Sequence, residues 1–453
     1  MKQLFFRFAL PLLTFSPLFG AAQQNFKLIT LDPGHFHAAL VQKIMYPEVD
    51  PTVHVYAEAG NDLQLHLDRI KGYNNRIDNP TKWNQVVYEG KDFFQKMISE
   101  RKGNVVVLAG NNRLKTNYIL SAVQNGFNVF ADKPMAINKV GFEQLKKAFQ
   151  VANEKKLQLY DIMTERYEIT TILQRALSME PTVFGTLEKG SPENPSVTKE
   201  SVHHFYKYVS GAVLTRPAWF FDVSQEGEGI VDVTTHLVDL IQWECFPEKI
   251  IDYKKDINIL NATSWNTSIS PDDFTLVTKE KEIPGYLKNN IDKNGNIQVL
   301  CNGAFNYTIN GVHAKVSVIW NYKAPEGTGD THYSLMRGTK SSLIIKQGKE
   351  ENFKPTLYVE TKEPTAAFEN QLLNAINKIN KTYPGISMKK NGNGWEILIP
   401  DQYKESHETH FARVMEKYLS YLKNNNMPSW EIPNMIAKYY TTTAAREKAN
   451  QSK

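Results

Sequence analysis

The sequence predicts an α/β amino-terminal domain with a doubly wound parallel sheet, joined to an α+β domain built on a mainly antiparallel sheet. Three observations predict it. From Asn25 to about Tyr160, short apolar runs alternate with longer amphipathic ones. Alternation of strand and helix implies parallel strands with helices on both faces. Beyond about Glu165 the pattern changes: Pro181–Pro195 is rich in Pro, Gly, Glu and Ser, and the later apolar stretches repeat with period two, the mark of half-buried antiparallel strands.

In chain order, Phe26–Leu31 reads as a strand, Asp32-Pro33-Gly34 as a turn, and His37–Met45 as a helix. Val53–Ala57 is a second strand. Val105–Leu108 is apolar throughout and therefore central, and Asn128–Ala131 follows it, with Asn117–Gln124 helical between them. In the second half, Phe305–Ile309 and Val312–Trp320 flank Asn310-Gly311, the strongest hairpin signal in the chain. Ser341–Lys346 and Thr356–Glu360 read as further strands and His410–Lys423 as a helix. A polar tail follows from about Thr441, and the Lys- and Asn-rich stretch from Glu280 to Asn296 reads as a solvated loop.

The 453 residues suffice for two or three domains. A net charge of +5, with no basic stripe, excludes a nucleic-acid binder. Two cysteines, Cys245 and Cys301, exclude a disulfide scaffold and a Cys-rich zinc module. At the amino terminus, Lys2 and Arg7 precede an apolar run from Phe8 to Phe19 that ends in Gly20-Ala21-Ala22. This is the pattern of a signal peptide cleaved near Ala22. The expected divisions are therefore a signal peptide (1–22), a dinucleotide-binding domain (23–165), a substrate and oligomerisation domain (166–440) and the tail (441–453). Export to the periplasm is expected, with no membrane insertion after cleavage, and losing Lys2 and Arg7 lowers the charge from +5 to +3.

Four segments carry candidate chemistry. The turn Gly34-His35-Phe36-His37 follows a strand and opens a helix, the geometry that seats a phosphate, although only one glycine of the three-glycine fingerprint is present. Glu58, at the end of the next strand, stands where an acid would bond a ribose hydroxyl and disfavour a phosphorylated ribose. Asp132-Lys133-Pro134 lies at the carboxyl end of a strand, with Pro134 restricting Lys133 so that its ammonium points into a crevice. In Gly227–Leu240, Asp232 and His236 are four apart and share a helix face. His35-x-His37 also offers a competing metal-ligand reading, with His203, His204, His236 and Asp239 as nominal distant ligands.

Together these segments resemble the glucose-fructose oxidoreductase / inositol dehydrogenase / MocA (Gfo/Idh/MocA) family, in an exported Bacteroidetes-type branch with its own carboxy-terminal oxidoreductase domain. Asp132-Lys133-Pro134 matches the family's Glu-Lys-Pro signature with Asp in place of Glu. Ala109-Gly110-Asn111-Asn112 matches a strand-end loop that contacts the cofactor, and Gly227–Asp239 matches a Gly-rich lead into an Asp-x-x-x-His-x-x-Asp helix. Gly338–Leu343 is similar to a late Gly-Thr-x-Gly-Ser-Leu segment.

The resemblance implies a Rossmann domain followed by an α/β domain with a large open sheet. It implies an NAD(P)-dependent oxidoreductase acting on a secondary hydroxyl of a sugar or sugar derivative, and a homo-oligomer; with Glu58 the expected cofactor is NAD, NADP being the less favoured. Lys133 and His236 would stand beside the reacting carbinol, with His236 as base, Lys133 on the developing alkoxide and Asp232 holding the imidazole in one tautomer. Gly34, His35, Phe36, His37, Glu58, Asn111, Asn112, Asp132 and Lys133 would contact the cofactor. Arg166 and Tyr167 would approach the substrate, and Trp219 would stack on a sugar face. Because free nicotinamide is not maintained outside the cytoplasm, tightly bound, recycled NAD is expected, as in redox-type glycoside processing. No metal is assigned. The alternatives are a carbohydrate-binding protein without redox chemistry, or a metal-dependent hydrolase using His35 and His37.

Overall fold

A computed structural model describes residues 26–209 and 212–451; the predicted signal peptide lies outside them. The first sheet contains β1 (Leu28–Leu31), β2 (Thr52–Ala57), β3 (Asn84–Glu89), β4 (Val105–Leu108), β5 (Asn128–Asp132) and β6 (Leu159–Ile162). All pairings are parallel, in the order β3-β2-β1-β4-β5-β6. Chain order reverses at β1/β4, which opens a crevice at the carboxyl ends of these strands. Every residue of β1 and β4 is buried, as expected of strands covered on both faces. The coverings are α1 (His37–Leu40), α2 (Asn61–Asn75), α3 (Phe93–Glu100), α4 (Lys115–Gln124) and α5 (Lys139–Glu154). α1 is one turn long, shorter than the predicted His37–Met45. Gln42 and Lys43 bond the carbonyls three residues back, Ala39 and Leu40, so the helix tightens into turns.

The second sheet has nine strands. β7 (Val197–Tyr206) precedes a small pair, β8 (Tyr208–Val209) and β9 (Ala212–Val213), which stands apart. The rest are β10 (Ile257–Ile269), β11 (Ile297–Ile309), β12 (Val312–Lys323), β13 (Thr331–Arg337), β14 (Ser341–Lys346), β15 (Thr356–Thr361), β16 (Ser387–Asn391) and β17 (Gly394–Leu398). Their order is β10-β11-β12-β7-β13-β14-β15-β17-β16, antiparallel throughout except for β12 against β7. The Asn310-Gly311 turn has φ values of 52° and 76°, as a two-residue hairpin joining right-twisted strands requires. Leu173, Leu237, Ile241, Phe305, Tyr307, Val316, Leu343 and Trp395 form the core on one face. It is covered by α6 (Ile169–Ser178), α7 (Thr234–Cys245), the short α8 (Tyr253–Asp256) and α10 (Ala366–Ile379), while Phe274 and Val277 of α9 (Pro271–Thr278) pack with Phe205, Phe221 and Trp320 in a separate cluster. Cys245 and Cys301 are free thiols, and burial pushes Cys301 up to about 11, which leaves it unreactive.

The last two helices correct the predicted boundaries. α11 (His407–Asn424) returns to the first domain, where Phe411, Val414, Met415 and Tyr418 join its core; the Tyr418 ring stacks on Phe130 at 4.7 Å. α12 (Glu431–Gln451) runs through the stretch read as a polar tail. Its threonines are masked, because Thr441 and Thr443 donate to the carbonyls of Ala437 and Tyr439 four residues back. Ala445 and Ala449 then pack into the second core.

Candidate active site

The carboxyl ends of β1, β4 and β5 meet the second domain along the crevice. After β1, Asp32 adopts a left-handed conformation (φ 49°). Gly110, after β4, passes so close that a Cβ there would lie 2.1 Å from the Asp32 carbonyl oxygen, so only glycine fits. Gly34 is similarly confined, with the Trp219 ring 3.0 Å and Asp62 Oδ2 2.9 Å from where its Cβ would be. Trp219 Nε1 donates to Asp62 Oδ2 at 2.7 Å, so Trp219 is held against the turn after β1 rather than lining the large cavity. Burial, reinforced by Asp62 and Glu58, pushes the Asp32 carboxyl up to about 6. Carboxylates at this end suit a ribose with free hydroxyls and repel a ribose phosphate.

At the end of β4, Asn111 Nδ2 donates to Gln225 Oε1 at 2.7 Å, and Asn112 Nδ2 to the Glu226 carbonyl at 2.7 Å. Both side chains are therefore engaged by the second domain. At the end of β5, Asp132 and Lys133 precede a cis Pro134. Lys133 Nζ bonds Asp232 Oδ1. Burial alone would lower the Lys133 ammonium, but Asp232, Asp132 and Glu226 more than reverse this and hold it up. Lys115, buried beneath, donates to the Asp132 carbonyl at 3.1 Å, and burial lowers it.

The helix expected to carry both Asp232 and His236 starts only at Thr234. Gly229 lies against the Cys301 carbonyl, where a Cβ would come within 1.7 Å, and turns occupy the residues before the helix. Asp232 thus sits ahead of α7 and His236 in its first turn. The expectation that Asp232 would hold the His236 imidazole is corrected: Asp232 pairs with Lys133, and His236 Nδ1 has no hydrogen-bond partner among the described residues. Burial pushes His236 down to about 4.

Lys133, Asp232 and His236 line a cavity of about 980 Å³, together with His35, Phe36 and His37. Several of its other polar walls, Glu165, Asp330, His332 and His407, carry no sequence signal and come from segments far apart in the chain, and His203, read only as a nominal metal ligand, joins them. Desolvation of half-buried Glu165 alone would raise it, but bonding to His407 with the surrounding imidazoles holds it well below the carboxylate range.

Arg166 does not join this wall. Its guanidinium grips Asp239 through two bonds of 2.6 and 2.7 Å and Glu431 through two of 3.1 Å. Tyr167 packs against the first core. Asp239 also accepts from Lys438, so neither it nor His204, which bonds Asp330 at 3.2 Å, stands with His35 and His37.

Residues 173–450 match a family model described as "Putative oxidoreductase C terminal domain", and residues 57–161 match "Oxidoreductase family, NAD-binding Rossmann fold", the Gfo/Idh/MocA model. The chain belongs to the Gfo/Idh/MocA oxidoreductase family. A crystal structure described as a "putative oxidoreductase" from Parabacteroides merdae is 53% identical, with 96% of this chain and 99% of that one covered and a TM-score of 0.93. The Gfo/Idh/MocA fold extends to more distant structures. A levoglucosan dehydrogenase with NADH and levoglucosan is 13% identical (TM-score 0.58, 94% of this chain and 98% of that one). A 3-ketoreductase from Actinomadura kijaniata with NADP is also 13% identical (TM-score 0.55, 93% and 97%). No curated protein matches the chain. NAD is the cofactor of the Gfo/Idh/MocA Rossmann domain.

Proposed function

We propose that the protein transfers a hydride between NAD and a secondary hydroxyl of a sugar or sugar derivative. The observation that carries this reading is the convergence of Lys133 and His236 on one cavity at the carboxyl end of the parallel sheet. When bound, NAD supplies the hydride-accepting carbon; Glu58, Asn111, Asn112 and the turn Gly34–His37 are the residues that would hold it. Buried His236 stays neutral at pH 7, so its imidazole can take the hydroxyl proton. Lys133 stays an ammonium and stabilises the developing alkoxide, while Asp232 fixes its direction. The cavity is large enough to close over a sugar ring and exclude water from it.

Replacing His236 by alanine is expected to lower kcat for sugar oxidation by about 10²–10⁴-fold, the usual worth of a general base. In the wild type, the acid limb of kcat/KM should fall near pH 4 rather than 6.5, because the neutral imidazole is the active form and persists down to about 4. A limb at pH 6.5, or an His236→Ala variant with unchanged kcat, would remove the imidazole from the chemistry.

Export fits the first 22 residues, and no helix among the described residues is long and apolar enough to cross a membrane. An exported enzyme needs NAD that is retained and recycled on the protein. Assembly with a second copy through the outer face of the large sheet is supported by Trp265 and Ile319, exposed there. The amino-terminal residue and solution mass of the protein purified from its host check both points.

A further inference from the structure

Two imidazoles and a carboxylate converge from strands that are not neighbours in the sheet. His35 and His37 follow β1, and Asp132 ends β5. His37 Nδ1 lies 2.8 Å from Asp132 Oδ2, and His35 Nδ1 lies 3.7 Å from the same oxygen. One donor atom from each of the three residues falls within 4.8 Å of the others. Around a tetrahedral ion with metal–donor distances of about 2.0–2.2 Å, ligand atoms stand roughly 3.4 Å apart, so the 2.8 Å pair must open and any wider separation close for all three to reach one ion. The imidazole rings meet edge to face, 4.0 Å between centroids. His35 Nδ1 accepts from the backbone N–H of His37 across a long 3.4 Å, a contact that ligation of an ion by this nitrogen would replace.

A second observation points to a missing partner. Asp132 is 3% exposed, and its Oδ1 has no hydrogen-bond partner among the described residues. An ionised carboxylate buried with one oxygen unsatisfied is costly unless something binds it. Nearby Lys133 is neutralised by Asp232, and Lys115 donates to the Asp132 carbonyl rather than to its carboxylate. Both histidines line the cavity, with Asp132 buried behind them. An ion held by all three would therefore keep coordination positions on the cavity side.

We propose that His35, His37 and Asp132 bind a divalent first-row transition metal ion. Two nitrogen donors and one carboxylate select zinc, cobalt or iron over magnesium or calcium. Three protein ligands with a free position are the pattern of a catalytic rather than a structural site. The free position would take a substrate oxygen, orienting it and polarising its bond to carbon. The site does not depend on the hydride-transfer reading, since its occupancy is measured without cofactor or substrate.

The test is titration of the chelator-stripped full chain with Co²⁺, followed by visible absorption, with elemental analysis of the dialysed protein. One Co²⁺ per chain is expected, displaceable by Zn²⁺. His35→Ala and Asp132→Asn should each weaken binding by more than the roughly 10–100-fold that outer partners of a metal ligand are worth. His236→Ala, which alters the same cavity but no proposed ligand, should bind Co²⁺ as the wild type does. Circular dichroism of each metal-free variant separates lost ligation from lost folding, and His35, the most exposed of the three, provides the variant most certain to fold. Absence of stoichiometric Co²⁺ uptake would overturn the proposal, as would folded His35→Ala and Asp132→Asn variants that bind it unchanged.

Discussion

Replacing Lys133 by methionine is expected to reduce turnover of an oxidised sugar by at least about 10²–10³-fold, the cost of removing one preorganised stabiliser of a developing oxyanion. The same change leaves Asp232 buried without its counter-ion, beside Glu226, whose carboxyl burial and Asp232 already push well above the usual range. Breaking a buried pair from one side costs about 3–5 kcal/mol, so the variant should also melt earlier. The double variant Lys133→Met/Asp232→Asn separates the two effects. It removes the orphaned charge and should recover most of the lost stability while staying inactive. Recovery of activity together with stability would reduce Lys133 to a structural residue.

A second large effect is expected from residues outside the cavity lining. Lys438 on α12 is fully buried between Asp161 at β6 and Asp239 on α7, at 2.7 and 2.8 Å. Arg166 grips Asp239 and Glu431 beside it, and Tyr439 donates to Asp161 at 2.9 Å. Burial alone would raise Asp239, but the two cations hold it well below the usual carboxylate range. This cluster fastens the parallel sheet of the first domain to the helix that carries His236. Lys438→Met leaves two buried carboxylates facing each other and should cost about 3–5 kcal/mol, read as a lower urea midpoint with the domains no longer unfolding together. Adding Asp161→Asn should restore part of that loss. A midpoint unchanged in Lys438→Met would show that the cluster does not hold the domains together.

These two networks mark the boundary of what can be read from sequence. The central strands β1, β4 and β5 are legible because burial on both faces demands uninterrupted apolar residues, and the β11–β12 hairpin because Asn310-Gly311 admits little else. β3 is hidden because Asn84, Gln85 and Glu89 make it an edge strand. α12 is hidden because threonines that satisfy themselves on the helix backbone look polar in a list of residues. Asp132, Lys133, Asp232 and His236 are visible as motif members, but not the pairing of Asp232 with Lys133, since that follows from a helix starting at Thr234. Arg166 has the residue type and position of a substrate contact, yet Asp239 and Glu431 claim it. The opposite holds for Glu165, Asp330 and His407, which gain a shared cavity only when the segment after β6, the loop before β13 and α11 are folded together.

The hydride-transfer reading is tested most directly by calorimetric titration of the purified full chain with NAD and, separately, NADP. One NAD should bind per chain, or be found already bound and released on denaturation, with NADP weaker because Asp32, Glu58 and Asp62 oppose its extra phosphate. A protein that neither retains nor binds NAD, with the Trp219 ring still against Gly34, would contradict a nicotinamide-dependent reaction at Lys133 and His236.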